Sequence, residues 1–385
     1  MLRNIIAERE RELPNIKLGK LLKIAAESRD VISLGPGEPD FLPPICVKRW
    51  IETKSWGYTH YSPVGGRKDL KAGIVKKLKK NRVKAGSENI IVTTGSTEAI
   101  LLALMCTVDP GEGVMITDPA FLSYRPSIEI LNGMPISVPL RHENGFVPDV
   151  DSMKDMINKE KTKAMIINTP CNPTGVVYKK KLLEEVADFA VENDLLVISD
   201  EAYEDFVYDN RHVSMASLNG MQNRVMSLFS FSKSYAMTGF RLGYAVGPER
   251  IIKAMENLHI YSTICAPSIS QGAGLAALKG KQEKTQMIRE FSRRRKLMTG
   301  WLDRLGWEYV KPEGAFYVFP KITKYKMSSV GFAEMLLKKA KVAVIPGTDF
   351  GLHGEGFIRL SYATEYEKID KAMAKIEKTV KNIRR

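Results

Sequence analysis

One lysine in this sequence stands where an amine could do covalent chemistry. Lys233 lies in the segment SFSKSYAMTGFRLGY, residues 230–244, directly after the apolar run RVMSLF, which is typical of a buried strand. A lysine at a strand end is partly desolvated, and nearby cations such as Arg241 lower its pKa further, so its amine can act as a nucleophile. A single lysine in such a position is more often an ordinary surface residue, so the case for a reactive amine depends on the residues around it.

Polar or aromatic side chains also follow the other apolar runs of this region. Ligands bind beyond the carboxyl ends of the strands in open parallel sheets, so these positions matter most. They are Gly95-Ser96-Thr97 after NIIVTT, Phe121 after GVMITD, Asn172 in TPCNPTG after AMIIN, and Asp200 with Tyr203 after LLVIS. Taken alone, each has an ordinary structural explanation, because serine, threonine and aspartate cap helices and turn chemistry explains TPCNPTG. A single phenylalanine is more often part of a core.

The set as a whole fits one type of ligand. Backbone N–H groups at a helix start offer a seat for phosphate, and the buried carboxylate of Asp200 needs a cationic partner. Phe121 would cover a planar ring, and Lys233 would bond to an aldehyde. Pyridoxal 5'-phosphate has a phosphate, a pyridinium nitrogen, a phenolic oxygen and an aldehyde. The sequence therefore predicts a pyridoxal-phosphate site at one edge of one sheet.

These segments resemble the motifs of the class I pyridoxal-phosphate aminotransferases of fold type I, in the branch that contains aspartate and aromatic aminotransferases. The resemblance runs from VISLGPGEPDF at residues 31–41 to FIRLSYA at residues 357–363, nearly the whole chain. Its motifs are, in order, YSPVGGRKDL, VTTGSTEAI, DPAFLSY, NTPCNPTG, ISDEAYEDF, SFSKSYAMTGFRLG and FIRLSYA. The resemblance implies transfer of the amino group of an L-amino acid (aspartate, alanine or aromatic) to a 2-oxo acid such as 2-oxoglutarate, by a ping-pong mechanism.

The resemblance also implies roles for individual residues. Lys233 matches the lysine that bonds covalently to the cofactor and later moves a proton, and Asp200 matches the partner of the ring nitrogen. Tyr203 and Asn172 match donors to the phenolic oxygen, and Phe121 matches the aromatic side chain that stacks on the ring. The residues that match phosphate ligands are Ser96, Thr97, Ser230, Ser232, Arg241 and, from the neighbouring subunit, Tyr61. The predicted catalytic residues are Lys233, Asp200 and Tyr203.

The substrate is expected to bind beside the cofactor. Arg359 in FIRLSYA matches the arginine that grips the α-carboxylate, a planar bidentate contact that lysine would make poorly. Asn172 matches a group near the same carboxylate, and Gly35 in LGPGEPDF matches a glycine whose backbone closes over it. Because Tyr61 matches a residue that serves the neighbouring subunit, the resemblance implies a homodimer with shared active sites.

The preferred amino donor stays open. Some aspartate-type members have a lysine in the segment written here GSTEAI, where this sequence has Thr97 and Glu98, and the segment HIYSTICAP contains no arginine. A dicarboxylic substrate would need another cation, such as Lys17 or Lys20, although an exposed amphipathic helix explains these lysines at least as well. Aspartate, alanine and aromatic amino acids all remain candidates. A carbon–sulfur β-lyase on the same scaffold is the alternative function.

The elements that must position these residues alternate short apolar runs with helical patterns. From about residue 89 to 250 the candidate strands are NIIVTT, GVMITD, PISVPL, AMIIN, LLVISD, RVMSLFS and RLGYAVG, and the helical segments include TEAILLALMCTV and KKLLEEVADFAVEND. The alternation predicts an α/β domain with parallel strands joined by crossover helices. The resemblance makes this a mostly parallel, seven-stranded sheet between helices, as in fold-type-I pyridoxal-phosphate enzymes.

Beyond about Gly280 the pattern changes. A long charged helix, KQEKTQMIREFSRRRKLMTGWLDRL, precedes the short candidate strands WEYV, AFYVFP, VAVIPG and FIRLSYA and a closing basic helix, which predicts a small α+β domain. We expect residues 1–45 to form an N-terminal arm and part of the small domain. Residues 46–280 are expected to form the large cofactor-binding domain, and residues 281–385 the small C-terminal domain.

Composition argues against other classes of protein. The formal charge is +14, but the lysines and arginines alternate with apolar residues, as on the solvated faces of amphipathic helices. No helix-turn-helix pattern precedes the fold, so no nucleic-acid partner is expected. No apolar run approaches the length of a membrane span, and the four cysteines have no metal-like spacing. We therefore expect a soluble, cytoplasmic enzyme with reduced thiols, no metal and no membrane partner.

Overall fold

A computed structural model of the chain describes residues 5–11, 13, 28 and 30–383, and the structural statements that follow concern those residues. The α-helices are α1 (Glu8–Arg11), α2 (Ile45–Lys54), α3 (Lys68–Leu78), α4 (Gly95–Met105), α5 (Tyr124–Ile130), α6 (Val150–Met156), α7 (Lys180–Glu192), α8 (Phe231–Ser234), α9 (Glu249–Ser262), α10 (Ser268–Ala277), α11 (Lys281–Leu305), α12 (Ser329–Met335) and α13 (Tyr366–Lys381).

The strands form three sheets. They are β1 (Ile32–Ser33), β2 (Ile90–Thr93), β3 (Gly113–Asp118), β4 (Met134–Pro139), β5 (Thr162–Asn168), β6 (Leu196–Asp200), β7 (Val225–Ser230), β8 (Gly243–Val246), β9 (Tyr317–Val318), β10 (Val342–Ala343), β11 (Ile345–Pro346) and β12 (Ile358–Ser361). The predicted segments TEAILLALMCTV and KKLLEEVADFAVEND correspond to α4 and α7, except for residues 106–108 and 193–194, which follow the helices. The long charged helix is α11, so these helices are confirmed.

The large sheet contains the seven strands that the sequence predicts, in the order β2-β8-β7-β6-β5-β3-β4. Strands β3 to β7 pair in parallel, and β8 is antiparallel to both of its neighbours, β2 and β7. The sheet is therefore mixed but mostly parallel, as expected. Every residue of β2, β3 and β7 is buried, which is typical of strands covered on both faces.

The two faces of this sheet belong to separate hydrophobic cores. Successive residues of a strand point to opposite faces, and β3 follows this rule: Met115 lies in one core, and Val114 and Ile116 lie in the other. Strand β7 does the same, with Phe229 in the first core and Leu228 in the second. The helices on both faces therefore fix the sheet, and with it the positions of the strand ends.

A third core lies among the C-terminal elements. Strands β11, β12 and β9 form an antiparallel sheet, and β1 pairs in parallel with β10, so the segment around Ile32 joins the C-terminal elements. Leu34, Phe316 and Ile369 are buried in this core, but so is Phe206, which comes from the predicted large domain. The domain limits at residues 45 and 280 stay a prediction.

Residues 307–310, WEYV, are not a strand, contrary to the prediction. Trp307 is buried, and its indole N–H donates a hydrogen bond of 2.7 Å to the hydroxyl of Tyr325. The hydroxyl of Tyr309 donates to Asp303 on α11 at 2.8 Å. Side-chain contacts with α11 and the following turn hold this segment, so its alternating apolar residues serve packing without a strand partner.

None of the helices in the described part of the chain has both the length and the apolar character needed to cross a membrane. The side chains of Cys46, Cys106, Cys171 and Cys265 are free thiols, as expected.

Candidate active site

The carboxyl ends of β5, β6 and β7 border a cavity of about 200 Å³ at one edge of the large sheet. It is lined by Gly37, Ser96, Thr97, Phe121, Leu122, Asn168, Asn172, Asp200, Ala202, Tyr203, Ser230, Ser232, Lys233, Arg241, Tyr317 and Arg359. Among the residues predicted for the site, Tyr61 and Gly35 are the two that do not line this cavity.

Lys233 lies on α8, the single helical turn that follows β7 directly. The side chain of Ser230 caps this helix, because its Oγ accepts a hydrogen bond of 3.1 Å from the backbone N–H of Ser232. The Lys233 amine donates a hydrogen bond to the backbone carbonyl of Gly37. The strand end and the cap therefore hold the amine inside the cavity.

The surroundings of Lys233 disfavour a positive charge on its amine. Burial, together with repulsion from the guanidinium groups of Arg359 and Arg241, lowers the pKa of Lys233 to about 8. Attraction to the carboxylates of Glu38 and Asp200 opposes this shift without cancelling it. A share of the molecules therefore has an uncharged, nucleophilic amine at neutral pH.

Asp200 ends β6 and is 5% exposed. Its Oδ2 accepts a hydrogen bond of 2.6 Å from the hydroxyl of Tyr124, and its Oδ1 accepts one of 3.1 Å from the backbone N–H of Ala202. Burial raises the pKa of Asp200, although both hydrogen bonds act in the opposite direction. The donors are neutral and no ion pair with Asp200 forms within residues 30–383, so this carboxylate is suited to a cationic ligand.

Two asparagines fix the turn after β5. The side chain of Asn168 donates to the backbone carbonyl of Asp200 at 3.0 Å and accepts from the backbone N–H of Asn172 at 2.8 Å. The side-chain oxygen of Asn172 in turn accepts a hydrogen bond of 2.9 Å from Arg359. This chain of contacts connects the ends of β5 and β6 with Arg359 on β12.

The guanidinium of Arg359 is 3% exposed. Its Nη1 donates to Asn172 and its Nη2 donates to the carbonyl of Gly35 at 2.6 Å, while its buried Nε has no hydrogen-bond partner. It lies over the rings of Tyr317 and Phe350, 4.3 and 4.8 Å from their centroids. Burial lowers the pKa of Arg359. A buried arginine in this state is suited to a planar anion such as a carboxylate.

The N-terminus of α4 and Arg241 form a second anion-binding subsite, besides Arg359. Gly95 has a φ of +78°, and a Cβ atom there would lie 2.5 Å from Nη2 of Arg241, so the guanidinium lies directly against the helix start. Arg241 itself has a φ of 48° and donates from Nη1 to the carbonyl of Thr238 at 3.0 Å. The first N–H groups of a helix lack partners within it. Together with the guanidinium they suit a phosphate.

Two tyrosines border the cavity beside Asp200. The hydroxyl groups of Tyr203 and Tyr317 form a hydrogen bond of 2.8 Å, and both side chains are buried. Burial raises the pKa of Tyr203, so this hydroxyl keeps its proton and can donate it to a ligand oxygen. Phe121 is half-buried and lies edge-on to Tyr124, with 5.6 Å between the ring centroids.

The sequence prediction missed Tyr124, Asn168, Tyr317 and Gly37. Asn168 is the last residue of β5, so the rule that selects residues at strand ends would have found it. Tyr124 stands in the quoted motif DPAFLSY, but no spacing shows that its hydroxyl reaches Asp200. Tyr317 looks like an ordinary strand residue, and no signal identifies it.

The remaining predicted residues that the structure describes do not line the cavity. Tyr61 is 79% exposed, outside the cavity of its own chain. Gly35 contributes its carbonyl to Arg359. Lys17 and Lys20, which were considered for a second carboxylate, lie outside the described residues.

The polar groups of this cavity fit pyridoxal phosphate. An anion seat at α4, a buried carboxylate without a cationic partner and a largely desolvated amine occur in one cavity. These features match the phosphate, the ring nitrogen and the aldehyde of the cofactor.

Comparison with known proteins gives one consistent family. The model of the family "Aminotransferase class I and II" matches residues 29–376. An aspartate aminotransferase of Pyrococcus abyssi is 46% identical over 372 residues, which cover 95% of each chain. An aromatic-amino-acid aminotransferase of Thermococcus litoralis is 43% identical over 372 residues, again 95% of each chain. The crystal structure of an aromatic aminotransferase from Pyrococcus horikoshii has a TM-score of 0.89 and 45% identity, and the match covers 95% of this chain and 99% of that one.

Proposed function

The chain belongs to the class I and II aminotransferases, and we propose that it transfers the α-amino group of aspartate or an aromatic L-amino acid to a 2-oxo acid such as 2-oxoglutarate. Relatives named after each type of substrate have similar identity to the chain, 46% and 43%. The observation that carries the proposal is that Lys233, Asp200 and Arg359 line one cavity.

Lys233 is the proposed covalent and proton-transferring residue. Aminotransferases of this family use pyridoxal 5'-phosphate, which supplies an aldehyde that bonds to amines and a ring that withdraws electrons from the α-carbon of the substrate. The pKa of about 8 gives Lys233 the uncharged form that this bond requires. When free, the same amine acts as the base, and then as the acid, for the proton of the α-carbon.

Asp200 would keep the ring nitrogen of the cofactor protonated. A cation beside it favours its charged form, so the pKa of Asp200 falls when that nitrogen is present. The hydroxyl of Tyr124 and the N–H of Ala202 keep the carboxylate in one orientation. Loss of this electrostatic group should raise the activation barrier by about 3–4 kcal/mol.

The remaining polar residues would bind the cofactor and the substrate. We assign the phosphate to the start of α4 and the nearby hydroxyl and guanidinium groups, namely Ser96, Thr97, Ser230, Ser232 and Arg241. Tyr203 and Asn172 would donate to the phenolic oxygen, and Phe121 would cover the ring. Arg359 would bind the α-carboxylate, with Asn172 beside it and the Gly35 carbonyl at the edge.

We also propose a homodimer in the cytoplasm. Trp56, Tyr61 and Tyr261 are 88%, 79% and 89% exposed in the single chain, and large aromatic side chains exposed to this extent are typical of association surfaces. In the dimer, Tyr61 would reach the phosphate of the partner's site. The free thiols suit a reducing compartment.

The proposal is tested with the protein reconstituted with pyridoxal phosphate and a panel of amino donors against 2-oxoglutarate, with the oxo-acid product measured. We expect product from aspartate or an aromatic donor. Lys233→Ala should lower the rate at least about a hundredfold, because it removes the acid–base group. Lys48→Ala, on the exposed face of α2, is the control and should keep full activity.

Two results would contradict this function. One is a wild-type protein in which borohydride traps no cofactor on Lys233. The other is release of pyruvate and ammonia from cysteine or cystathionine without an oxo-acid acceptor, together with no transamination, which would identify a carbon–sulfur β-lyase.

A further inference from the structure

A second cavity, of about 310 Å³, lies next to the active site and is rich in lysine. We call it the lysine pocket and define it by Lys76, Lys77, Lys80, Lys279 and Lys284. These residues come from α3 and the turn after it, from the segment after α10, and from the first turns of α11. None of them belongs to the predicted cofactor or substrate site.

The lysine pocket and the active-site cavity share two short segments. Lys233 on α8 lines the active-site cavity, and Tyr235, directly after α8, lines the lysine pocket. In the same way Tyr203 faces the first cavity, while Glu204 and Asp205 face the second. A ligand in the lysine pocket would therefore contact the segments that position Lys233 and Tyr203.

Both carboxylates of the lysine pocket already have cationic partners. Glu204 forms a buried ion pair with Lys77 and also accepts a hydrogen bond from Asn81. Asp205 forms an ion pair of 2.8 Å with Lys284. The attraction of Lys77 and Lys284 outweighs burial and lowers the pKa of Asp205, which keeps it charged. These acids therefore neutralise Lys77 and Lys284.

Lys76 and Lys279 bring further positive charge to the pocket. Both are exposed, and the side-chain amine of neither forms an ion pair with another described residue. They approach the pocket from different elements, Lys76 from α3 and Lys279 from the segment between α10 and α11. Like charges that converge on a concave surface repel each other and attract a multivalent anion more strongly than a monovalent one.

We propose that the lysine pocket binds a small multivalent oxyanion of the phosphate type. Ammonium groups from separate elements would surround it, so binding would link α3 to the start of α11. Lys284 already connects α11 to this region, since its amine lies 5.3 Å from the ring centroid of Tyr235. The ring of Tyr235 stacks on that of Phe231 in α8, with 5.3 Å between centroids. This anion site is separate from transamination and does not depend on the proposed substrate.

The test is a calorimetric titration of inorganic phosphate into the enzyme loaded with pyridoxal phosphate, with sodium chloride at matched ionic strength as the reference. In the loaded enzyme the cofactor already occupies the phosphate site at α4, so added phosphate is not expected to bind there. The test variant is Lys76→Ala/Lys279→Ala. The matched control, Lys48→Ala/Lys253→Ala, removes the same charge from exposed lysines that pair with Glu52 and Glu249 outside the pocket.

We expect phosphate to bind to the wild type and the control, and at least about tenfold more weakly to the test variant, a loss of about 1.4 kcal/mol. Equal binding by all three proteins, or no phosphate binding beyond that seen with chloride, would overturn the proposal. Phosphate bound instead at Arg359 would be lost in Arg359→Lys and kept in the test variant, which would also overturn it.

Discussion

Lys233, Arg241 and Arg359 bring three positive charges to one small cavity, and Lys233 has no ion-pair partner among the described residues. This crowding, added to burial, explains why the pKa of Lys233 lies at about 8 and not at its ordinary value of 10.5. The fraction of reactive amine at a given pH is therefore set by the two arginines as well as by the depth of the cavity.

The lowered pKa predicts how fast Lys233 reacts in protein freed of cofactor. The rate of covalent bonding to added pyridoxal phosphate should rise with pH and level off above about 8, because only the uncharged amine reacts. Borohydride trapping across a pH series, followed by mass analysis of the peptide with Lys233, gives this rate. Arg359→Met removes one positive charge and should move the midpoint to higher pH. A rate that keeps rising until the pH reaches about 10.5 would show that the pKa of Lys233 is not lowered.

The residues that the sequence could identify are those placed by strand ends. Asp200 ends a buried strand, Asn172 follows one, and Lys233 lies one helical turn beyond β7, so a pattern of apolar runs is enough to find them. The hydroxyl of Tyr124 reaches Asp200 from a helix, and the hydroxyl of Tyr317 reaches Tyr203 from a separate sheet. Their contribution depends on tertiary packing, which leaves no periodic signal in the sequence.

At the scale of elements, a buried polar network fixes the turn after β6. It is centred on Glu201, which is fully buried next to Asp200 in the chain. The Oε1 atom of Glu201 accepts hydrogen bonds from Ser199, Ser214 and Ser227, and Oε2 lies 2.7 Å from Nε2 of His212. The network connects β6 and β7 with the segment between them. A charged group at this depth is stabilised only while its partners are present.

Replacement of His212 tests this network. Burial opposes a positive charge on His212, but the hydrogen bond and the attraction to Glu201 outweigh it and raise its pKa. His212→Phe leaves one oxygen of Glu201 unpaired and should lower the free energy of unfolding by about 2–4 kcal/mol at neutral pH. Because the folded pKa is raised, the wild-type advantage is complete below about pH 6.5 and declines as pH rises through the folded pKa.

Denaturant unfolding of both proteins at several pH values measures this difference. His212→Gln, which keeps a hydrogen-bond donor, should lose less stability than His212→Phe. An advantage of the wild type that grows as pH rises would show that the histidine is not the positive partner of Glu201.

Periodicity predicted the large sheet better than the small sheets. Most strands of the large sheet are largely apolar and buried, because other elements cover both faces, and only the edge strand β4 is mostly half-buried. Strands β9 to β12 have only two to four residues each, and WEYV has the same alternation without being a strand. At this length the choice between strand and packed loop depends on whether another segment offers a hydrogen-bonding edge. The sequence pattern does not contain that information.

At the scale of the whole molecule, the proposed dimer predicts complementation between two inactive variants. If Tyr61 serves the partner's site, a hybrid of a Lys233→Ala chain and a Tyr61→Ala chain has one site with both residues intact. Each homodimer lacks one residue at both sites. Random assembly makes about half of the dimers hybrids with one complete site, so mixing should restore about a quarter of wild-type activity.

To measure the restored activity, the two variants are unfolded and refolded together and loaded with cofactor. Their transamination rate is compared with that of samples refolded separately. Lys233→Ala mixed with Arg241→Ala is the matched control, since both residues line the cavity of the same chain and each site of that hybrid lacks one. A Lys233→Ala and Tyr61→Ala mixture that regains no more activity than this control would contradict the assignment of Tyr61 to the partner.

The parallel pairing of β1 with β10 has a consequence for synthesis of the protein. Ile32 leaves the ribosome long before its partner Val342, because the two residues are far apart in the sequence. The carbonyls of Gly35 and Gly37, which hold Arg359 and Lys233, follow β1 directly. Strands β2 to β8 can assemble earlier, since domains generally fold as units during translation. In a nascent chain that does not yet contain Val342, β1 has no partner strand, so the contacts of Gly35 and Gly37 with Arg359 and Lys233 form only after β10 has been made.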